Sequence, residues 1–321
     1  MDATDVKPAY DALRAEISKA VVGQDDLLRS LLIGFFSDGH VLLEGVPGLA
    51  KTLVAESLSK AFDFDAVRIQ FTPDLLPSDI VGTETYRPQT GEFGVKKGPV
   101  FANVVVADEI NRAPSKVQSA LLEAMQERKV SLAGTTFPLP TPFFVVATMN
   151  PLEEEGTYPL PEASLDRFLL KVKVDYPTKA EEMEIMRRMT ASEFPSVGKV
   201  LGKDEVIALR RAVETGVHVD EKLYSYVADV VSATRDPNAY GLGEHAPLIA
   251  YGASPRASIG LIRAAKALAA ISGRDFAVPE DVKAVAKEVL RHRIGLSYDA
   301  VVSGTDPDSV VEAVLSHVPV P

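Results

Sequence analysis

The sequence contains no cysteine, so neither a disulfide framework nor a thiolate metal site can form. No apolar run reaches the length of a membrane span, because the longest ones are broken by Gly, Asp or Lys. Met1 to Tyr10 is polar and acidic and lacks the apolar core of a signal peptide; these absences lead us to expect a cytoplasmic protein. Basic residues are in deficit, 34 Lys and Arg against 45 Asp and Glu for a net charge of −11. That balance argues against a protein that coats nucleic acid in bulk, but leaves room for a local basic pore. There is no self-similar period and no low-complexity segment. What remains is a chain of 321 residues, 46% hydrophobic and 25% charged. That is the make-up of a globular protein with a sizeable core, in one large or two ordinary domains.

Five apolar runs read as strands: His40 to Glu44, Ala66 to Phe71, Asn103 to Glu109, Phe143 to Asn150 and Leu169 to Val174. Continuous apolarity, as in Val104-Val105-Val106-Ala107, suits strands buried on both faces of a parallel sheet. Helical periodicity marks Asp5–Ala20, Leu27–Phe36, the segment after Thr52 and Lys116–Arg128. Two further stretches, Val81 to Phe101 and Val130 to Pro140, read as inserted hairpins, turning at Pro88 to Glu92 and at Ala133-Gly134-Thr135. By spacing alone they are solvated surface hairpins or functional inserts. From Thr178 onward the pattern is helical, with helices expected at Ala180–Thr190, Lys203–Thr215, Glu221–Thr234, Pro255–Ser272 and Pro279–His292. Pro279-Glu280-Asp281 is a clear helix start. We therefore expect an α/β core over residues 1–177 with a five-stranded parallel sheet, then an all-helical domain over 178–321.

The first strand runs into Gly45-Val46-Pro47-Gly48-Leu49-Ala50-Lys51-Thr52, and a helix follows from Leu53. Strand, glycine loop, Lys-Thr pair and helix start make a phosphate-binding loop. Glycines let the backbone N–H groups turn inward, Lys51 can reach the β- and γ-phosphates, and Thr52 can hold Mg²⁺ through its hydroxyl. Ala50 stands where a glycine commonly precedes the lysine; alanine enters a helix at ordinary φ, so the loop remains feasible. Ligands of a parallel open sheet sit at the carboxyl ends of its strands. The third strand ends in Asp108-Glu109 and the fourth in Asn150. Alone, the acid pair is equally a helix cap and Asn150 a turn residue before Pro151. Beside a phosphate loop, Asp108 suits Mg²⁺, Glu109 the attacking water, and Asn150 that water or the γ-phosphate.

Together, Gly45 to Thr52, Val104 to Arg112, Ala147-Thr148-Met149-Asn150-Pro151 and Pro161 to Phe168 resemble the MoxR family of AAA+ ATPases. The resemblance runs from about Val21 to the C-terminal helices, and Ala before the lysine is usual in that family. It implies that Val22-Gly23-Gln24 packs near the adenine of ATP and that Asp108 and Glu109 are the Walker B pair. It also implies that Asn150 is sensor 1 and that Arg167 is an arginine finger reaching a neighbouring subunit's nucleotide. Arg112 is a weaker candidate for an intersubunit contact. Ser254-Pro255-Arg256 looks like sensor 2, with the question of cis or trans action open. The two hairpins resemble a helix-2 insert and a pre-sensor hairpin pointing to a central pore.

The resemblance further implies a hexameric ring, ATP and Mg²⁺ as cofactors, and a chaperone-like role in maturing protein complexes. A partner carrying a von Willebrand factor A domain is part of that expectation. A DNA-associated motor is the alternative, as is a nucleotide-gated scaffold with little turnover. The short basic pairs Lys96-Lys97 and Arg128-Lys129 read as solvated rather than DNA-reading, so a nucleic-acid partner is not expected.

Overall fold

The computed structural model describes the chain except Thr90, residues 152–155 and residues 191–194. Thr90 belongs to the expected turn of the first hairpin and lies outside the described residues. Helix α1 (Val6–Ile17) buries Val6, Ala9, Leu13 and Ile17, a stripe at three- and four-residue spacing. Helix α2 (Asp25–Phe36) starts two residues earlier than the apolar pattern indicated, with Asp25 and Asp26 in its first turn. There follow β1 (Val41–Glu44), α3 (Lys51–Ala61), β2 (Ala66–Gln70), α4 (Pro77–Val81), β3 (Gly82–Arg87) and β4 (Glu92–Lys97). Next come β5 (Val104–Asp108), α5 (Ser115–Glu127), β6 (Lys129–Leu132), β7 (Thr135–Pro138), β8 (Phe144–Met149), α6 (Glu162–Leu165) and β9 (Leu170–Lys173).

Five strands form one parallel sheet in the order β2-β5-β8-β1-β9. The period-two alternation sends Val41, Leu43, Val104, Val106 and Val146 to the face covered by α2 and α3. Leu42, Val105, Ala107 and Val145 go to the opposite face, against α5. Strand β1, which carries the phosphate loop, is interior, with β8 on one side and β9 on the other.

Both hairpins form. β3 pairs with β4 and β6 with β7, antiparallel. The second closes through Ala133 and Gly134, both at positive φ (49° and 78°), the geometry that matches strand twist in a two-residue turn. Lys96, Lys97 and Lys129 are exposed, as expected, while Lys97 and Arg128 also have partners in the fold. Lys97 Nζ lies 4.8 Å from the centre of the Phe101 ring and 5.2 Å from that of Phe137, joining one hairpin to the other. Arg128 donates to the Phe143 carbonyl and to Asp38 (2.9 Å).

The remainder is α7 (Lys179–Met189), α8 (Lys203–Gly216), α9 (Glu221–Arg235), α10 (Pro255–Ile271), α11 (Pro279–Leu290), α12 (Tyr298–Val302) and α13 (Pro307–His317). The last two were not foreseen, nor was a short antiparallel pair, β10 (Ile249–Tyr251) with β11 (Gly295–Leu296). One continuous apolar cluster runs from α1, α2 and α3 into α8, α9, α10, α11 and α13. The helical part thus packs directly behind the sheet. Among the described residues, no helix is long and apolar enough to cross a membrane.

Candidate functional site

The carboxyl ends of β2, β5 and β8, the loop after β1 and helix α7 enclose a cavity of about 480 Å³, within the range of ligand pockets. Val22 and Gln24 line it, as do Pro47, Gly48, Leu49, Ala50, Lys51, Thr52 and Leu53. Asp108, Glu109 and Asn150 complete the set of expected residues on its wall. Gly23 lines an adjoining crevice shared with Val22 and Gln24. Gly45 and Val46 stand behind the wall, and their carbonyls accept from Lys51 Nζ (3.2 Å at Val46). A side chain at Gly45 would meet the Val174 carbonyl at 2.8 Å, so the strand-to-loop exit admits only glycine. Helix α3 opens at Lys51 with no side-chain cap. Its first N–H groups are therefore left to a ligand, with the positive end of the helix dipole behind them.

Ala50 corrects the expectation drawn from its sequence. It does not enter α3 at ordinary φ but sits left-handed at φ 57°, ψ 15°. The chain must reverse between an extended loop and the first helical turn, and position 50 takes that bend. A Cβ there costs roughly 1 kcal/mol relative to glycine.

The acid pair is held by neighbours on both sides. Asp108 Oδ1 accepts from Thr148 Oγ1 (2.6 Å), and the same hydroxyl accepts from the Glu109 N–H (2.9 Å), which ties the ends of β5 and β8 together. Asp108 Oδ2 faces Thr52 Oγ1 (3.4 Å) and takes Arg68 Nη2 (2.6 Å) and Nε (3.1 Å). Glu109 sits left-handed at φ 55°, ψ 52°, a backbone state that persists only where its surroundings impose it. Its carboxylate accepts from Gln70 Nε2 (3.0 Å) and Arg112 Nη1 (3.1 Å). Burial pulls the Lys51 ammonium below the ordinary lysine range, opposed by the charges of Asp108, Glu109 and Glu44. Asn150 is buried, and its carbonyl accepts from Asn111 Nδ2 (3.3 Å). The convergent hard oxygens of Thr52 and Asp108 suit Mg²⁺.

Arg167 and Arg256 are not in this cavity. Both line a second cleft that shares none of its residues, together with Asp38, His40, Arg128, Arg263 and Arg293. Asp166 organises it: its carboxylate accepts from Arg293 Nε (2.7 Å) and Ser254 Oγ (3.1 Å) and lies 3.8 Å from Arg256 Nη1. A cis role of Arg256 at its own phosphate loop is not supported by this geometry.

Comparison with known proteins decides the family. The pattern of the ATPase family associated with various cellular activities (AAA) matches residues 40–170, and that of an AAA lid domain matches residues 244–314. Chaperone MoxR1 of Mycobacterium tuberculosis is 50% identical over 306 residues, 95% of this chain and 81% of that protein. Protein MoxR of Methylorubrum extorquens is 34% identical, covering 99% of this chain and 97% of its own. The chain belongs to the MoxR family of AAA+ ATPases. A solved structure from Cytophaga hutchinsonii superposes with a TM-score of 0.93 at 48% identity, over 99% of this chain and 97% of that one. The five-stranded sheet and the helical lid are thus shared along the whole length of this MoxR-family chain.

Sequence reasoning missed several residues of the cavity wall: Arg68, Gln70, Thr148 and, from α7, Ile185, Arg188 and Met189. Arg188 donates to the carbonyls of Ser18 and Lys19 (2.8 Å each), fastening α7 over the Val22 side of the cavity. The signal for Arg68 and Gln70 was present. In Ala66-Val67-Arg68-Ile69-Gln70 the polar residues alternate with Val67 and Ile69, which puts both on the α3 face, opposite Val106 and Asp108 of β5.

Proposed function

We propose that this chain is a Mg²⁺-dependent ATPase that works as a ring and remodels partner protein complexes. The observation that carries this reading is the division of its cations between two places. Lys51 stands in the phosphate-loop cavity, while Arg167 and Arg256 share a separate cleft. A subunit so built supplies one set of charges to its own nucleotide and the other to a neighbour's. Lys51 and the N–H groups of α3 would hold the β- and γ-phosphates, with the base between Val22 and Ile185. Thr52 and Asp108 would hold Mg²⁺, which when bound neutralises charge on the β- and γ-oxygens. Glu109 would accept the proton of the attacking water after exchanging its contacts with Gln70 and Arg112, and Asn150 would orient that water. Arg167 of the adjacent subunit would meet the charge that develops on the transferred phosphoryl group, with Arg256 beside it.

Within this reading, residues 1–177 are the core and 178–321 the lid, and the ring is a hexamer. The name of the mycobacterial relative supports a chaperone role; a partner with a von Willebrand factor A domain and a client complex belong to the same proposal. Its test is complementation in mixed rings. Arg167→Ala should bind ATP but not hydrolyse it, and mixing it with Lys51→Ala subunits should restore turnover, because each variant supplies what the other lacks. Absence of rescue, or a monomer by light scattering with ATP and Mg²⁺, would sink the shared site.

A further inference from the structure

Asp108 turns one oxygen, Oδ2, toward Thr52. Oδ1 is turned to the Thr148 hydroxyl at 2.6 Å, on the β8 side. Oδ2, which faces Thr52 Oγ1, already receives two N–H groups of Arg68, at 2.6 and 3.1 Å. With two N–H groups of Arg68 and the Thr52 hydroxyl against it, Oδ2 has no lone-pair direction left for a metal or its water, and a guanidinium so placed repels a divalent cation. The two partners are also unequal in freedom. The Asp108 side chain is 11% exposed and is pinned through Thr148 to the end of β8, whereas Arg68 is 51% exposed on the edge strand β2. When the pair opens, Arg68 is the partner that moves, since half its side chain already faces solvent and its one further bond is to Gln70 (3.3 Å) on the same strand.

We propose that Arg68 is the displaceable counter-cation of Asp108: it neutralises the carboxylate and competes directly with Mg²⁺ for Oδ2, and so sets the Mg²⁺ concentration at which the site engages nucleotide. Arg68 is thus a positioning residue. It keeps the Asp108 carboxylate aimed at Thr52 by a charge-assisted bond, and it raises the threshold for metal entry. Gln70, two residues along the same strand face, bonds Glu109 rather than Asp108 and carries no charge, so it cannot substitute.

This inference rests on the proposed Mg²⁺-nucleotide site, and its test separates the two. A fluorescent ATP analogue bound to the full-length protein is titrated with Mg²⁺ in a metal buffer, and the Mg²⁺ midpoint is read without recourse to turnover. Arg68→Ala should lower that midpoint about two- to fivefold, the upper part of the range of a single ion pair that is partly screened. Arg68→Lys, which keeps the charge but loses the two-donor geometry, should fall between. In an Asp108→Asn background the effect of Arg68→Ala should vanish, since the acceptor for which the two cations compete has lost its charge. An unchanged or raised midpoint in Arg68→Ala, with thermal unfolding like that of the parent, would overturn the competition. So would an equal effect in the Asp108→Asn background. Failure of the parent protein to bind the analogue at any Mg²⁺ concentration would instead sink the nucleotide site itself.

Discussion

Replacing Arg293 with alanine tests the way the lid carries the second cleft. The Arg293 side chain is 3% exposed. Its five N–H donors are all engaged: Nε with Asp166 Oδ1 (2.7 Å), Nη1 with the carbonyls of Leu169 (3.0 Å) and Val289, and Nη2 with those of Phe168 (2.5 Å) and Asp166 (3.2 Å). Four of the five go to the stretch Asp166 to Leu169, which includes Arg167. Removing one member of a buried ion pair costs about 3–5 kcal/mol. Asp166 is 20% exposed and keeps Ser254, so the lower end applies, about 3 kcal/mol. For a chain of 321 residues that lowers the melting temperature by about 4–5 °C. The local argument adds a split between functions. Arg293→Ala should keep its affinity for a fluorescent ATP analogue, because the phosphate-loop cavity is a different site, while ATP hydrolysis falls as Arg167 loses its mount. Equal loss of binding and turnover, or an unchanged melting temperature, would refute the reasoning.

Three further outcomes are expected. Lys51→Ala should abolish binding of the ATP analogue in equilibrium titration, since Lys51 is the cation of the loop; parental affinity would remove the loop from the site. Ala50→Gly should raise stability in thermal unfolding by about 0.5–1 kcal/mol, because φ 57° is strained for alanine and free to glycine; a clear loss of stability would contradict the strain. The buried imidazole of His40 should make the fold acid-sensitive. Its Nδ1 accepts from the Val145 N–H (3.0 Å) and its Nε2 faces the Met125 carbonyl (3.2 Å), and burial, with the nearby Arg128 charge, holds its pKa down to about 3. The unfolded chain binds this proton near pH 6.5, so the stabilisation is complete above that value. It is lost as pH falls toward 3, by about 2 kcal/mol at pH 5. Denaturant unfolding of His40→Gln should show that much less change between pH 7.5 and pH 5; an identical pH slope would exclude His40 as the cause.

The parts of the site that were legible in the sequence are those whose chemistry is local. The loop from Gly45 to Thr52 is continuous in the chain, Asp108-Glu109 ends an apolar run, and Asn150 ends another. The interior strands β5 and β8 were legible because burial on both faces of a parallel sheet demands unbroken apolarity, and the edge strands β2 and β9 because apolar and polar residues alternate in them. What could not be read was contact between segments far apart in the chain. Arg68 meets Asp108 because β2 and β5 are neighbours in register, Gln70 beside Asp108. Arg188 reaches the end of α1 across 169 residues. The φ of Ala50 was hidden for a different reason: propensity says what alanine prefers, and the loop imposes what the turn requires. Helix α13 was missed because Val310, Val311 and Val314 form its buried face, and β-branched residues carry a weak helical signal even when an Asp306-Pro307 start precedes them.

The helical part bears on both cation sites at once. Through α7 it closes the Val22 side of the phosphate-loop cavity with Ile185, Arg188 and Met189. Through Ser254, Arg256 and Arg293 it grips Asp166, the residue before Arg167. Arg291 adds a third fastening, to Asp308 within the lid (2.9 Å) and to the Lys171 carbonyl of β9 (3.0 Å). The grips on Asp166 and Lys171 are ion pairs and charge-assisted bonds laid over a continuous apolar cluster, so moving α10 or α11 would break packing as well as polar contacts, whereas α7 buries no side chain and is fastened through Arg188. On the reading proposed above, the seat of Arg167 is therefore set jointly by these lid side chains and by β9, which begins three residues after it.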